Sequence, residues 1–476
     1  MEKFDNLLTD FYEFTMGQGF FNERVHNDMV YFDLFFRKVP DKGSFVIANG
    51  VKKCAEYIKQ LHFTKEDIDY LRSTGRFTEE YLQELSNLKF TGDMWAVEDG
   101  TVVFPNEPII TIKAPLLQAQ LIETQLLLLL NRSSLITTKA SRIVRAANGR
   151  AVMEFGSRRA QGESAAIDGA LDAYIAGAVG TACTATGKKF GVPVLGTMAH
   201  SFVQMFDTEY DAFKAYAKSY PDSCTLLVDT YNTLESGIPN AIKTYNEVLK
   251  PMGKKLAGIR IDSGDLAYLS KKARKMLDDA GLTDTKICVS NSLDETVISS
   301  LLLQNAPIDS FGVGENLITA KTNPVFGGVY KLVAVEKDGQ IIPKIKVSDN
   351  VEKVTNPHFK KVYRLYDTNH KLIADILYQH DEEAPKGTLL LNHPDKNWVK
   401  KEIKNFKCVN LHKKIFENGK LVYDFPSIEE TKQKVKDELA TLWEEALRLE
   451  NPHEYTVNLS NKLAQTKQEL LEKARQ

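Results

Sequence analysis

Between about residues 135 and 335, short apolar runs alternate with amphipathic stretches, and this alternation limits the fold more than any other feature. The apolar runs predict buried strands, and the stretches between them predict helices. Strand–helix alternation gives a parallel sheet, and six or seven such units predict a closed, irregular α/β barrel. The predicted strands are AVMEF, VPVLGTMAHS, TLLVDTY, LAGIRID, KICVSNS and IDSFGVG.

Polar residues and glycines follow these predicted strands at their carboxyl ends. Catalytic groups collect at that end of the strands in barrel enzymes, and structural requirements alone do not predict such a regular placement. The sequence therefore predicts an active site there. Its candidate residues are Phe155, Arg158, Arg159, His200, Asp229, Asp262, Asn291, Gly312 and Gly314.

The segments on either side of this core show a different pattern. Stretches such as MVYFDLFFRKVP and YKLVAVEKDGQIIPKIKVS are typical of antiparallel strands, with a hairpin turn at Asp338-Gly339. Ser427 and Glu430 have the spacing of a capping box at the start of a helix. We expect a second α+β domain built from both chain ends. The predicted bounds are 1–130 for its N-terminal part, 131–335 for the barrel, and 336–476 for the C-terminal segment that completes it and ends in helices.

Charge and cysteine content exclude several classes of protein. Lys and Arg total 61 against 63 Asp and Glu, so the net charge of −2 gives no general attraction to nucleic acid or to an anionic membrane. The acidic N-terminal stretch does not resemble a signal peptide, and no apolar run is long enough to span a membrane, which predicts a cytoplasmic protein. Five scattered cysteines support neither a disulfide framework nor a zinc site.

The stretch GIRIDSGDL concentrates charge at the end of a predicted strand. Side chains alternate along a strand, so Arg260 and Asp262 share one face while Ile259 and Ile261 share the other. A well hydrogen-bonded ion pair can be purely structural, and this stretch alone leaves the structural and functional interpretations open. The turn at Ser263-Gly264 presents backbone N–H groups that could face an anion.

Three other motifs are also ambiguous when each is taken alone. Arg158 and Arg159 suit phosphate or carboxylate binding, but exposed arginine pairs are commonly solvated loop residues. His200 is a candidate base, ligand or nucleophile. Gly312 and Gly314 would let the backbone approach a phosphate, although no third glycine completes a dinucleotide-binding motif.

Taken in order, several segments closely resemble the nicotinate phosphoribosyltransferase family, a group of barrel-type phosphoribosyltransferases of NAD biosynthesis. The segments are LLTDFYEFTM, FFRKVP, EFGSRRAQG, GTMAHSF, LLVDTYN, GIRIDSGDL and FGVGENL with GGVYKL, and they span nearly the whole chain. The resemblance implies transfer of ribosyl 5-phosphate from phosphoribosyl pyrophosphate to nicotinate, giving nicotinate mononucleotide and pyrophosphate. It also implies coupled ATP hydrolysis and magnesium bound with the pyrophosphate.

The resemblance further implies a role for individual residues. Arg260 matches the arginine that holds the pyridine ring and its carboxylate, and Asp262 the aspartate beside the ribose and the magnesium-bound pyrophosphate. Phe155 matches the aromatic residue that stacks on the ring, and His200 the histidine that ATP phosphorylates. Tyr12 matches a tyrosine that closes the site of a neighbouring subunit, which implies a homodimer with shared sites. The full set of implied substrate-binding residues is Tyr12, Phe155, Arg158, Thr181, Ser201, Asp229, Asn291, Gly312 and Gly314.

The sequence departs from the family pattern at Ala182 and at Glu315, and several other functions compete with the one implied. Relatives that use nicotinamide carry an aspartate at the position of Ala182, so alanine favours nicotinate. Glu315 would crowd a phosphate if it pointed inward, and we expect it to point outward. The alternatives are a nicotinamide or quinolinate phosphoribosyltransferase, an open-sheet phosphoribosyltransferase, and a non-catalytic nucleotide-binding sensor of the same fold. Turnover assays with each candidate base distinguish them.

Overall fold

The structure is a computed structural model that describes residues 4–348, 353–392 and 400–474. Contacts within the chain divide it into two compact units. The first unit combines residues 1–135 with residues 325–476, and the second consists of residues 136–324.

The first third of the chain contains six helices and five strands in its described residues. The long sixth helix contains the boundary between the two units. In chain order the elements are α1 (Phe11–Asn22), β1 (Met29–Phe36), β2 (Val46–Ile47), α2 (Val51–Lys59), α3 (Lys65–Ser73), α4 (Glu79–Ser86), β3 (Asp93–Ala96), β4 (Val102–Val103), β5 (Ile110–Pro115), α5 (Leu116–Leu121) and α6 (Glu123–Ala146).

The second unit alternates strands and helices, as the sequence predicts. Short 3₁₀ or π turns lie at residues 157–159, 233–237 and 245–252. The elements are β6 (Ala151–Glu154), α7 (Glu163–Ile175), β7 (Gly180–Thr181), α8 (Thr184–Phe190), α9 (His200–Gln204), α10 (Glu209–Ser219), β8 (Thr225–Leu227), α11 (Ile238–Thr244), β9 (Gly258–Ile261), α12 (Leu266–Asp279), β10 (Lys286–Ser290), α13 (Glu295–Leu303), β11 (Ser310–Val313) and α14 (Glu315–Ile318).

The remainder of the chain returns to the first unit. Its elements are β12 (Gly328–Lys337), β13 (Gln340–Pro343), β14 (Lys360–Tyr366), β15 (Leu372–Gln379), β16 (Leu389–Asn392), β17 (Lys400–Ile403), β18 (Lys407–Asn410), β19 (Lys413–Glu417), β20 (Lys420–Leu421), α15 (Ile428–Thr441), α16 (Glu444–Leu447), β21 (Val457–Leu459) and α17 (Asn461–Lys473).

The second unit is built on a six-stranded parallel sheet with the order β7-β6-β11-β10-β9-β8. Its central strands are buried nearly throughout, which explains why the sequence shows continuous apolar runs there. β7 and β8 lie at the two edges, and no ladder joins them in the described residues. The predicted parallel α/β arrangement is therefore confirmed, whereas the closed barrel stays a prediction.

One predicted strand is wrong. The stretch VPVLGTMAHS forms only a single bridge, between Val194 and Thr181, and His200 is the first residue of helix α9 rather than the last residue of a strand. The apolar pattern resembles a strand, but in the described residues this bridge consists of two backbone hydrogen bonds, from the Thr181 N–H to the Pro193 carbonyl and from the Leu195 N–H to the Thr181 carbonyl. The chain then enters the helix.

The first unit is dominated by an antiparallel seven-stranded sheet with the order β13-β12-β1-β5-β3-β19-β20. Strand β12 pairs with β1, so residues 328–335 lie in this sheet, although the sequence prediction placed residues through 335 in the barrel. The hairpin at Asp338-Gly339 is confirmed, because both residues have positive φ (50° and 73°) between the paired strands. The capping box of Ser427 and Glu430 at the start of α15 is also confirmed.

A second sheet of this unit has the order β18-β14-β15-β21. In the described residues, no helix combines the length and the apolar character of a membrane span.

Candidate active site

The carboxyl ends of β8 and β9 place two aspartates side by side. Asp229 follows β8, and its Oδ2 accepts hydrogen bonds from the backbone N–H of Asp262 at 2.8 Å and from the Ser263 hydroxyl at 2.6 Å. The other oxygen of Asp229 is buried without a hydrogen-bond partner. A buried oxygen of this kind is costly unless a ligand supplies the missing partner.

The Asp262 side chain connects β9 with its neighbours. Its Oδ1 accepts a hydrogen bond from the Ser290 hydroxyl at the end of β10, and its Oδ2 lies 3.9 Å from Nε2 of His200. The second ring nitrogen of His200, Nδ1, lies 3.0 Å from the Thr230 hydroxyl. Ser290 and Thr230 thus hold the carboxylate and the imidazole so that they face each other, with both side chains partly open to solvent.

Arg260 is a cation without an ion pair in the described part of the chain. It lies on β9 two residues before Asp262, and one of its terminal nitrogens donates to the Thr197 hydroxyl at 2.7 Å. Its Nε is buried and has no hydrogen-bond partner. A guanidinium held on one edge and unpaired on another is suited to a planar carboxylate or a phosphate.

Phe155 follows β6 and lies beside β11. A Cβ atom added to Gly312 would come within 2.6 and 2.7 Å of two ring carbons of Phe155, and one added to Gly314 would lie 3.1 Å from the Phe155 carbonyl oxygen. The space that these glycines leave is therefore occupied by Phe155. The sequence predicts that these glycines let a phosphate approach the backbone, and for Gly312 that role stays a prediction beside the packing of the Phe155 ring against it.

A buried carboxylate fixes the backbone next to Phe155. Glu154 is fully buried, and its two oxygens accept hydrogen bonds from the backbone N–H of Gly156 and from the Thr181 hydroxyl, the latter at 2.6 Å. Burial raises the pKa of Glu154, and these two hydrogen bonds partly offset that rise. The Thr181 oxygen also accepts from the N–H of Cys183, so this side chain, predicted to bind substrate, is buried and engaged within the protein.

The other predicted residues lie at the solvent-facing side of the unit. Arg158, Ala182 and Ser201 are all exposed. Glu315 points outward, as predicted, and pairs with Lys321 at 2.6 Å. Lys321 lowers the pKa of Glu315.

The loop after β10 contains two consecutive residues with positive φ, Asn291 (92°) and Ser292 (51°). Asn291 is exposed. The sequence prediction named Asn291 but gave no sign of this backbone conformation.

Tyr12 belongs to the first unit, where it lies on helix α1 and is 46% exposed. Partial burial and the neighbouring carboxylate of Glu123 raise the pKa of its phenol. Glu13, the next residue, is fully buried, and its carboxylate accepts a hydrogen bond from the Thr124 hydroxyl at 2.5 Å. Burial raises the pKa of Glu13 to about 7.

Sequence reasoning missed Thr197, Thr230 and Ser290, which hold the charged side chains. Thr230 and Ser290 lie near the carboxyl ends of their predicted strands, as the charged residues do, and this placement was the available signal. Thr197 lies inside a predicted strand and gave no such signal. In the described residues, no group of three or more His, Cys, Asp or Glu side chains is arranged to hold a metal ion.

Fold and site together are typical of an α/β enzyme, with a charged candidate active site at the carboxyl edge of a parallel sheet. An unpaired arginine, two adjacent aspartates, a histidine and a seated aromatic ring suit a substrate with a planar, anionic ring and a sugar phosphate.

Comparison with known proteins identifies the family. Three family models match in succession: the N-terminal domain of nicotinate phosphoribosyltransferase over residues 7–131, the nicotinate phosphoribosyltransferase family over residues 150–372, and the C-terminal domain over residues 359–467. The chain belongs to the nicotinate phosphoribosyltransferase family.

Similar proteins cover most of the chain. Nicotinate phosphoribosyltransferase of Bacillus subtilis is 44% identical over 96% of this chain and 93% of its own length. Nicotinate phosphoribosyltransferase pncB2 of Mycobacterium tuberculosis is 43% identical over 81% of each chain. The crystal structure of human nicotinic acid phosphoribosyltransferase matches with a TM-score of 0.87 and 28% identity, and covers 97% of this chain and 99% of the human one.

Proposed function

We propose that this protein transfers the 5-phosphoribosyl group of phosphoribosyl pyrophosphate to the ring nitrogen of nicotinate, and so serves NAD salvage. The bond between ribose C1 and pyrophosphate breaks, and a bond from the nicotinate nitrogen to C1 forms. The observation that carries the proposal is that β9 places a cation and a carboxylate close together at its end. Arg260 has a buried nitrogen without a hydrogen-bond partner, and the carboxylate of Asp262 accepts a hydrogen bond from Ser290. The similarity to the Bacillus subtilis enzyme supports it.

Arg260 and Phe155 bind the base in this proposal. The free edge of the guanidinium donates two hydrogen bonds to the nicotinate carboxylate, and the Phe155 ring stacks on the pyridine. Ala182 offers no acceptor to an amide and no repulsion to a carboxylate, which favours nicotinate over nicotinamide.

Asp262 stabilises the transition state. Departure of pyrophosphate leaves positive charge on the ribose, and in this proposal the negative charge of the Asp262 carboxylate stabilises it. Asp229 and Asp262 supply oxygen atoms of the kind that magnesium prefers, and the unpartnered oxygen of Asp229 fits such a role. Magnesium, when bound with the pyrophosphate, would neutralise the leaving group. Arg158, Ser201 and Asn291 stay predicted substrate contacts.

His200 is the proposed site of coupling to ATP. The γ-phosphoryl group passes from the ADP oxygen to a ring nitrogen and later to water, which places a charge beside the pyrophosphate site. The hydrogen bond to Thr230 and the closeness of Asp262 support a nucleophilic role, because both orient the ring. We further propose the family's homodimer, in which Tyr12 closes the site of the partner subunit, and closure of the sheet into a barrel.

A comparison of two bases tests the proposed function. The purified chain, supplied with phosphoribosyl pyrophosphate, magnesium and ATP, should form nicotinate mononucleotide and should use nicotinamide at least about tenfold less well. Arg260→Lys should raise the nicotinate KM about tenfold, since lysine cannot form a bidentate planar contact. Arg76→Lys, at an exposed arginine of the first unit, is the control. Equal turnover of both bases would contradict the proposal.

Radiolabelling tests the role of His200. Incubation with γ-labelled ATP should leave an acid-labile, base-stable label that His200→Ala abolishes together with ATP stimulation. His453→Ala, at an exposed histidine, should keep both. ATP stimulation that persists in folded His200→Ala protein would remove the phosphohistidine from the mechanism.

A further inference from the structure

The turn after β10 adopts a conformation that its residues do not favour. Asn291 and Ser292 have φ angles of 92° and 51°, and residues other than glycine rarely adopt this left-handed region. Each such residue is strained, and strain of this kind persists only where surrounding contacts hold it. Asparagine tolerates the region better than serine, so Ser292 is the less favourable of the two.

Asn316 supplies the contacts that hold this turn. Its side-chain amide donates hydrogen bonds to the carbonyl oxygens of Ser292 at 3.0 Å and of Leu293 at 3.1 Å. Leu293 is buried and anchors the far end of the turn. Asn316 lies on the short helix α14 that follows β11, so one amide group connects the ends of two neighbouring strands.

The turn lies at the centre of the site. β10 is flanked by β9 and β11, and its last residue, Ser290, holds the carboxylate of Asp262. Asn291 follows directly and is exposed, with its side-chain oxygen accepting from the Ser292 hydroxyl at 3.1 Å. The exposed Asn291 carboxamide therefore lies beside the proposed reaction centre, and its NH2 group can donate to the oxygens of a sugar phosphate, whereas an apolar ring has no acceptor for it.

We propose that Asn316 is a positioning residue that locks the Asn291-Ser292 turn in the shape that binds phosphoribosyl pyrophosphate. This inference rests on the proposed function for the identity of the ligand. Asn316 acts through the turn and does not itself touch the substrate. Loss of its two hydrogen bonds should release the turn to conformations that its residues prefer.

Direct binding measurements test the inference. Asn316→Ala, and Asn316→Asp, which keeps the shape but loses the donor, should each weaken the Kd for phosphoribosyl pyrophosphate about tenfold, and should leave the nicotinate KM unchanged. Asn323→Ala, at another asparagine of the same unit, is the control and should bind as the wild type does. Thermal unfolding of each variant verifies that it is folded.

A second substitution separates positioning from simple contact. Glycine adopts positive φ without strain, so adding Ser292→Gly to Asn316→Ala should restore most of the lost affinity. An unchanged Kd in folded Asn316→Ala, or a loss that Ser292→Gly does not reduce, would overturn the inference. A wild-type chain that binds phosphoribosyl pyrophosphate but forms no product would contradict the proposed function, and the comparison of Kd values among variants would still decide the role of Asn316.

Discussion

Each unit contains an arginine next to an aspartate, and the two arginines differ in what surrounds them. In the first unit, Arg364 is fully buried and donates to both oxygens of Asp375, to Glu438 at 3.0 Å and to the carbonyl of Val102 at 2.7 Å. Burial alone would lower the pKa of Arg364, but the attraction of Asp375 outweighs it and the pKa is raised. In the second unit, Arg260 has one hydrogen bond, to Thr197, and a buried nitrogen without a partner.

We interpret the difference as one between charges that serve the fold and charges that bind a ligand in the proposed function. Each of the three guanidinium nitrogens of Arg364 donates to an acceptor of its own unit, so the charge is compensated without any ligand. Arg260 and Asp229 each keep a buried polar atom unsatisfied, which is tolerated where a substrate completes the bonding. Removal of a partner should therefore affect stability in the first unit and activity in the second.

The largest effect is expected at the complete cluster. Asp375→Ala leaves the Arg364 charge buried and unpaired, and should lower the free energy of unfolding by about 3–5 kcal/mol. Unfolding in denaturant measures this loss of stability. Asp381→Ala breaks a half-exposed pair with Lys462 in the same unit and should cost about 1 kcal/mol or less. Equal losses in the two variants would show that the Arg364 cluster contributes no more than a surface ion pair.

The next effect concerns catalysis. Asp262→Asn keeps the size of the side chain and its bond from Ser290, but removes the negative charge, and should lower kcat on the order of 10²-fold with the unfolding transition unchanged. Asp265→Asn is the matched control, because Asp265 lies three residues away and only caps helix α12. A kcat near that of the wild type would assign Asp262 to the structural class of Asp375.

The smallest effect distinguishes the two interpretations of Gly312. A methyl group at this position would displace the Phe155 ring, so Gly312→Ala should raise the nicotinate KM several-fold, within about tenfold, and leave the KM for phosphoribosyl pyrophosphate unchanged. Gly327→Ala, where an added Cβ meets no atom within 4 Å, is the control. A rise in the KM for phosphoribosyl pyrophosphate alone would favour the phosphate-binding interpretation.

The sequence by itself predicted the parallel α/β arrangement of the second unit. Continuous apolar runs such as KICVS mark strands buried on both faces, and parallel pairing then brings residues at their carboxyl ends, such as Asp229 and Asp262, to one edge. Both signals are local and periodic. The antiparallel hairpin at Asp338-Gly339 and the cap at Ser427 were predictable for the same reason, because each depends on residues close in sequence.

Only the tertiary structure decided which partner each polar group meets. Gly312 makes room for Phe155, which lies more than 150 residues earlier in the chain, and Thr181 turns its hydroxyl to the buried Glu154. His200 begins a helix although its sequence resembles a strand end. These outcomes depend on the space and the hydrogen-bond partners that distant segments supply, and local periodicity carries no information about either.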